Sequence, residues 1–401
     1  MRKLAKKVRV GFALILVALV FTNAFEYWAE QRQHLVINHS PFTIYYASYL
    51  ICALIFAFDR ASIRRALDTP VVRWTFGAIL LATWGMLRRS FMAPPGIDEY
   101  TFERIFGIQL NAFAFMIACV IIFDDDTVLY TARRAIAVAT VLGIVLNVYE
   151  LFYPGWLNQQ TIGRSAGLYV NPNDGGMALA LGCLMSVSVV PSALREVFVL
   201  ACLAGVVTTL SREALLGLAI VMIGMSIGGV LAWKRMLATA LCGAIVLTAI
   251  GINSAIKENK IFYDATSRFY SVDQSAAGRL QMDFKMLDEF EEAPLLGHGF
   301  GTSTYWAAAE SHNLYLSFLA DYGIIGLLVI PSLVLSIGWR RRNKEFYVFA
   351  LIFMSWCFLT HFVFDLGFAL MTLGIEAVQT GRQGPEISDP AFASSRLRHG
   401  A

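Results

Sequence analysis

The chain has 401 residues, of which 57% are hydrophobic and 15% charged, with a mean hydropathy of +0.60 and a net charge of +3. Soluble globular domains carry about 25% charged residues, so this composition excludes a protein whose whole surface faces water. The small net charge gives no sign of a nucleic-acid partner, and we expect none. The six cysteines lie in apolar runs without metal-ligand spacing, which predicts neither a disulfide framework nor a zinc site among them.

Apolar stretches of roughly 20 residues recur along the chain, the length needed to cross about 30 Å of hydrocarbon as helix. Backbone polar groups in lipid must be satisfied within the segment, so continuous apolar runs favour helices. The sequence therefore predicts an all-α polytopic bundle of about twelve transmembrane spans. The predicted spans are 10–29, 41–58, 71–90, 102–123, 135–153, 175–190, 196–210, 213–232, 236–253, 314–339, 345–364 and 366–379.

Lysine and arginine are unevenly divided between the two sides of these spans. With the N-terminus in the cytoplasm, the cytoplasmic side holds 21 of the 32 basic residues and the opposite side 11. The positive-inside rule then predicts that both termini are cytoplasmic. We expect the first apolar segment to be a retained helix rather than a signal peptide. Residues 1–379 would form the transmembrane domain, and the polar tail 380–401 is expected to be disordered.

A long segment on the outer side, residues 254–311, separates spans 9 and 10 and is about 58 residues in length. Apolar side chains recur in it at helical spacing: Leu280, Phe284 and Leu287, with Met286 and Phe290 flanking them. This pattern predicts an amphipathic helix over 275–292, lying against the membrane-embedded part. Pro294 and the glycines that follow would end it.

Three isolated arginines lie near predicted helix ends on the outer side: Arg164, Arg212 and Arg279. Guanidinium binds phosphate through planar, bidentate donors and stays charged, so an interfacial arginine suits a lipid-linked pyrophosphate. The alternative for each is structural: Arg212 would pair with Glu213, and Arg279 with Asp283 one turn on.

A histidine, His312, lies where the outer segment returns to the membrane. An ordinary imidazole pKa near 6.5 suits a base acting on a hydroxyl, although an interfacial polar residue is the alternative. Asn313 would cap the next helix or bind sugar, and Asn171 in NPND would cap the sixth span, with a ligand role secondary. His298 is the weaker histidine candidate, because its neighbouring glycines indicate a turn. No Asp-x-Asp type acidic cluster that could hold a divalent ion beside a pyrophosphate occurs on the outer side, and the sequence contains no P-loop or nucleophile elbow.

These residues lie in four stretches that occur in order: RSAGLYVNPNDGGMALALG, TLSREALLGL, GRLQMDFKMLDEFEEAPLLGHGFG and SHNLYLSFLADYGIIGLL. In that order, with a long loop before the His-Asn pair, the pattern resembles the O-antigen ligase and polymerase superfamily of bacterial inner-membrane glycosyltransferases. The resemblance covers roughly residues 150–340. Where the family has an aromatic residue in its glycine loop, this chain has His298.

The resemblance implies a twelve-helix fold with a periplasmic active site in the bacterial inner membrane. It implies transfer of a glycan from undecaprenyl pyrophosphate to an acceptor hydroxyl, without a cofactor, metal or nucleotide sugar. Arg212 and Arg279 would hold the pyrophosphate, with Arg164 as a third, and His312 would be the base or orient the acceptor. The partners would be the lipid-linked donor, a lipid A-core acceptor and membrane lipids, and the protein would be a monomer or a weak homo-oligomer.

Within that superfamily, the length of the chain and the single late loop favour the ligase that joins O-antigen to lipid A-core. An O-antigen or exopolysaccharide polymerase, which uses the same donor, is the alternative. A non-catalytic transporter or flippase of lipid-linked glycan is a third possibility. It should show paired repeats and broken helices in matching halves, and the sequence shows no such repeat.

Overall fold

A computed structural model describes most of the chain as helices and their connections. The described residues are 2–31, 42–92, 99–157, 163–169, 171–249, 274–305, 312–339, 343–360 and 363–381. Within these ranges all regular secondary structure is helical, and no β-strand is present. The all-α prediction is therefore confirmed for the described residues. The predicted disordered tail lies outside them beyond Gly381, as do parts of the long outer segment.

The helices of the first half of the chain run up to the loop that carries Arg164. They are α1 Arg2–Leu16, continued by a π-helical turn Val17–Phe21, then α2 Ala24–Gln31, α3 Phe42–Phe58, α4 Arg60–Leu67, α5 Pro70–Met92, α6 Glu99–Phe123 and α7 Asp126–Phe152.

The helices of the second half carry the other candidate residues. They are α8 Pro172–Ser186, α9 Arg195–Thr209, α10 Arg212–Ile227, α11 Trp233–Ala249, α12 Gln274–Glu292, α13 Thr302–Tyr305, α14 Leu314–Tyr322, α15 Val329–Ile337, α16 Lys344–Leu359 and α17 Gly367–Gly381. A 3-10 helix, Gly323–Leu328, joins α14 to α15.

Each of the twelve predicted spans coincides with a helix or a short series of helices. Among the described residues, four helical stretches are long and apolar enough to cross a membrane: Pro70–Met92, Phe106–Phe123, Asp126–Phe152 and Leu314–Ile337. A fifth is added if the bent pair Ile44–Phe58 and Arg60–Leu67 forms one broken span. The chain is thus a multi-pass membrane protein. The count of twelve stays a prediction, because helices such as α8 and α9 have only 15 residues, about 22 Å of length.

Polar contacts join residues near the ends of the helices, and these contacts lie at two ends of the helical bundle. At one end Arg65 pairs with Asp124 at 2.9 Å, and Arg133 pairs with Glu345 at 3.2 Å. Arg65, Asp124 and Arg133 lie in segments predicted on the cytoplasmic side, and Glu345 begins the predicted span 345–364 at that side. At the other end, Arg88, near the outer end of the predicted span 71–90, donates from Nε to the carbonyl of Gly297 in the long outer segment at 3.3 Å. The orientation of these two ends in the membrane stays a prediction.

The central helix of the bundle is α8. Its residues from 175 to 186 are all buried, and it packs against α7, α9 and α10. A helix that is apolar on every face belongs in the interior. At its outer end Gly176 permits the close approach, because a Cβ there would lie 2.6 Å from that of Ala214 and 2.8 Å from Thr209 Oγ1. The beginning of α8 therefore lies directly against the turn that begins α10.

The predicted helix in the long outer segment is present as α12. It runs beside α14, in contact through Met286, which is buried against Ala320 and Leu316. The predicted apolar stripe is on another face, since Leu280 and Phe284 are both more than half exposed. The expectation that the helix packs on the bundle is confirmed, whereas the side chain that makes the contact is a flanking one.

Candidate functional site

Three helices begin at the outer end of the bundle with a side-chain cap. Asn171 Oδ1 accepts from Asn173 N at 2.9 Å, Ser211 Oγ accepts from Ala214 N at 3.3 Å, and Asn313 Oδ1 accepts from Tyr315 N at 3.0 Å. The predicted capping roles of Asn171 and Asn313 are thereby confirmed, while a substrate contact through either side chain stays a prediction. Helix N-termini carry a partial positive charge, so this end of the fold favours an anion.

Arg164 is held between two of these helices. Its Nε donates to the carbonyl of Thr209 at 2.9 Å, at the end of α9, and its Nη2 donates to Asn173 Oδ1 at 2.7 Å, in the first turn of α8. The carbonyl at a helix C-terminus is a favourable partner for a cation. The guanidinium is thus fixed at the junction of α8, α9 and α10, which agrees with its predicted place beside the other arginines.

The loop that carries Arg164 is anchored by a buried carboxylate. Glu150, near the end of α7, accepts from the backbone N–H groups of Ala166 at 2.8 Å and Gly167 at 3.0 Å. Ser165 N also donates to the carbonyl of Thr208 at 3.0 Å. A carboxylate that accepts two backbone N–H bonds forms a charge-assisted clamp. Glu150 therefore positions Arg164 without itself belonging to the arginine cluster.

The turn between α9 and α10 presents Arg212 and Glu213. It consists of Leu210 and Ser211, and Leu210 has a φ of 51°, an unusual left-handed conformation for a bulky residue. Arg212, the first residue of α10, has an exposed side chain, whereas Glu213 points inward. Adjacent residues at a helix start point in different directions, so the turn offers a cation to the outside and an acid to the interior.

Arg279 of α12 reaches this turn. Its Nη1 lies 3.4 Å from Glu213 Oε1, across 66 residues of sequence. The sequence predicts local pairs as the structural alternatives, Arg279 with Asp283 and Arg212 with Glu213. In the structure the carboxylate of Glu213 contacts Arg279 instead. The charge of Arg164 also acts on Glu213. One carboxylate is therefore shared by two of the three candidate arginines.

The guanidinium of Arg279 retains donor capacity. Its Nε is buried and makes no hydrogen bond in the described part of the chain, and the side chain is 38% exposed. A buried donor without an acceptor costs free energy. An anion that enters the cluster would supply acceptors to a guanidinium of this kind.

His312 lies immediately before α14 and within the field of Arg279. Partial burial and the positive charge of Arg279 lower the pKa of His312 below its usual value, and the charge of Asp283 opposes this effect. The imidazole is consequently neutral near pH 7, which is the form that can accept a proton. The structure thus places His312 within the field of Arg279, and a catalytic role for either residue stays a prediction.

A second carboxyl group, Asp174 in the first turn of α8, completes the acidic part of the cluster. The charge of Glu213 acts on the carboxyl group of Asp174, so the two acidic groups lie near each other. Sequence reasoning missed Asp174, Glu150 and the role of Glu213, although polar residues at the outer ends of apolar helices are the signal that marks all three.

Among the described residues, no group of three side chains that could bind a metal ion lies around the arginines. A group of that kind, formed by Glu289, Glu292 and His298, lies at the other end of α12. Arg279 and Glu292 are 13 positions apart on the helix, or about 20 Å. His298 is accordingly not part of the arginine cluster.

A comparison with protein families finds a match for part of the chain. Residues 197–331 match the model of a family described as O-antigen ligase. The match includes Arg212, Arg279 and His312 but not Arg164. No curated protein and no solved structure matches the chain. The predicted resemblance to the O-antigen ligase and polymerase superfamily is confirmed over this region.

Replacing Glu150 tests the anchoring of the Arg164 loop. We expect Glu150→Ala to lower the free energy of unfolding by about 2–4 kcal/mol, because two buried N–H groups lose their acceptor. Thermal unfolding in detergent and limited proteolysis near Gly163 would measure the effect. Asp68→Ala, at a carboxylate that is 67% exposed in an ion pair, is the matched control and should change little. Equal stability of the two variants would contradict the anchoring role.

Proposed function

We propose that the protein is an O-antigen ligase, which transfers a glycan from undecaprenyl pyrophosphate to a sugar hydroxyl of lipid A-core. The proposal rests on one observation, the ion pair between Arg279 and Glu213. Arg164 and His312 lie beside this pair, where three capped helices begin. Most of these residues lie in the region that matches the O-antigen ligase family. A site that combines cationic groups, helix N-termini and a neutral imidazole suits a diphosphate leaving group and a hydroxyl nucleophile.

Arg212 and Arg279 bind the pyrophosphate in this mechanism, and Arg164 supports them from the junction of α8 and α9. The negative charge that develops on the leaving oxygen is stabilised by the guanidinium groups and the helix ends. An anion that binds Arg279 competes with Glu213 for its donors. The shared carboxylate therefore holds Arg279 in place before the donor arrives.

His312 acts on the acceptor. Its neutral imidazole accepts the proton of the sugar hydroxyl while the hydroxyl oxygen forms a bond to the anomeric carbon of the donor. The bond between that carbon and the pyrophosphate oxygen breaks, and undecaprenyl pyrophosphate leaves with the electron pair. A single displacement of this kind inverts the anomeric configuration. In this mechanism Asn313, next to His312, would help to orient the acceptor.

The proposal places the arginine cluster on the periplasmic face of the bacterial inner membrane, with both termini in the cytoplasm. The distribution of basic residues along the chain supports this orientation. The donor glycan would be presented on that face by its lipid carrier, and the acceptor would lie in the same leaflet.

Deletion of the gene separates the ligase from the polymerase and from a transporter. Loss of a ligase leaves lipid A-core bare while polymerised lipid-linked glycan accumulates, and this is the result we expect. A single repeat attached to the core would identify a polymerase instead. In vesicles that contain purified protein, lipid-linked glycan and lipid A-core, a transporter would give no ligated product.

Substitution of the two central residues tests the site. We expect His312→Ala to reduce the transfer rate about 10²–10⁴-fold, the usual contribution of a general base. Arg279→Ala should cause a comparable loss, and Arg279→Lys should restore only part of it, because lysine cannot bind phosphate bidentately. The assay is transfer in reconstituted vesicles, with Lys285→Ala on an exposed part of α12 as the control. Full activity of both alanine variants would contradict the assignment.

The pH dependence of transfer tests the role of His312. Protonation of the imidazole fills the lone pair that accepts the hydroxyl proton, so the rate should fall as the pH drops through the pKa of His312. Because that pKa lies below 6.5, activity should be level near pH 7. Asp283→Asn removes a charge that raises the pKa of His312, and we expect it to move the acid limb to lower pH. An acid limb that Asp283→Asn leaves unchanged would show that another group titrates.

A further inference from the structure

The end of α12 and the turn that follows it bring one imidazole and two carboxylates together. His298 Nε2 lies 3.5 Å from Glu289 Oε2 and 3.9 Å from Glu292 Oε2, and the ligand atoms of the three residues are all within 4.8 Å of one another. The His298 side chain is buried, whereas that of Glu292 is 75% exposed. We propose that Glu289, Glu292 and His298 form a zinc site that fastens the glycine turn to α12.

Two of the three separations between ligand atoms lie at or near the values of tetrahedral coordination. Zinc binds imidazole nitrogen and carboxylate oxygen at about 2.0–2.2 Å, which places neighbouring ligand atoms about 3.3–3.6 Å apart. The spacing of His298 and Glu289 already falls in this range. Glu292 has to move only a few tenths of an ångström toward His298, and its exposure leaves it room. One imidazole and two carboxylates suit zinc, and water would take the fourth position.

The charge distribution at the end of α12 supports a bound cation. Its last turn contains acidic residues and no basic one: Asp288, Glu289, Glu291 and Glu292. Negative side chains at a helix C-terminus oppose the helix dipole, and cations are favoured there. The negative charges of Glu292 and Asp288 act on the carboxylate of Glu289. A divalent cation would relieve this repulsion.

The surroundings of His298 indicate a structural role for the metal. The N–H of His298 donates to the carbonyl of Ala320 at 3.1 Å, and Gly299 N donates to that of Asp321 at 3.0 Å, so the turn is already fixed to α14. Gly297 has a φ of 64°, and a Cβ there would clash with the backbone carbonyl oxygen of Asp321. A metal that joins this turn to Glu289 and Glu292 would link the end of α12 to α14.

Binding of the metal would break one hydrogen bond of His298 and form three bonds from the metal to protein side chains. In the structure His298 Nε2 lies 3.0 Å from the carbonyl oxygen of Glu289, a hydrogen bond that the Nε2 proton makes. Coordination through Nε2 replaces that hydrogen bond with the metal bond, and the imidazole proton is then carried by Nδ1. The site lies about 20 Å along α12 from Arg279 and takes no part in the proposed transfer.

A zinc titration of the full-length protein tests this inference. Protein in detergent, freed of its purification tag and treated with a chelator, is titrated with zinc chloride in a calorimeter. We expect one zinc ion per chain and a higher thermal unfolding temperature in its presence. The chain has six cysteines, so a stoichiometric site must be located by substitution.

Substitutions in and beside the triad locate the site. Glu292→Gln changes an exposed side chain and should not disturb folding. Loss of an outer-shell partner weakens metal binding about 10–100-fold, and we expect Glu292→Gln to weaken zinc binding by at least that factor. His298→Gln should abolish binding. Asp288→Asn and Glu291→Gln, at exposed carboxylates on the same turn, are the matched controls and should bind zinc like the unaltered protein. Absence of stoichiometric binding, or unchanged binding by Glu292→Gln, would overturn the proposal.

Discussion

The contact between Arg279 and Glu213 is the interaction on which the outer half of the structure depends. It joins the helix of the long outer segment to α10, and through Glu213 it connects to Arg164 and the beginning of α8. An exposed ion pair contributes little stability, but the carboxylate here is largely buried and its guanidinium partner retains an unfilled donor. The pair therefore acts mainly by holding a cation in a defined place.

The central position of α8 explains why the candidate residues meet at one end of the bundle. A helix buried on all faces can present its polar groups only at its ends. The cap of α8, the short turn before α10 and the cap of α14 consequently share one region, where their N-termini favour negative charge. Neutral His312 beside Arg279 adds a proton acceptor to a region that otherwise favours an anion.

Much of the helical framework could be predicted from the sequence, because long apolar runs leave the backbone few alternatives to helix. The predicted span 71–90 corresponds to α5, and the predicted helix 275–292 corresponds to α12. The pairing of Arg279 could not be predicted, since spacing along one helix suggests Asp283 whereas its partner is 66 residues away. The anchoring of the Arg164 loop by Glu150 likewise depends on how α7 and α9 pack, which hydropathy does not record.

The central claim is that the diphosphate of a lipid-linked donor binds at Arg279 and Arg212. A structure of the protein with undecaprenyl pyrophosphate or a non-hydrolysable analogue tests that claim most directly. We expect phosphate oxygens within hydrogen-bond distance of Arg279 and Arg212, with His312 facing the glycan side. A diphosphate bound away from both arginines, for example beside Arg88 at the end of α5, would contradict the assignment of the site.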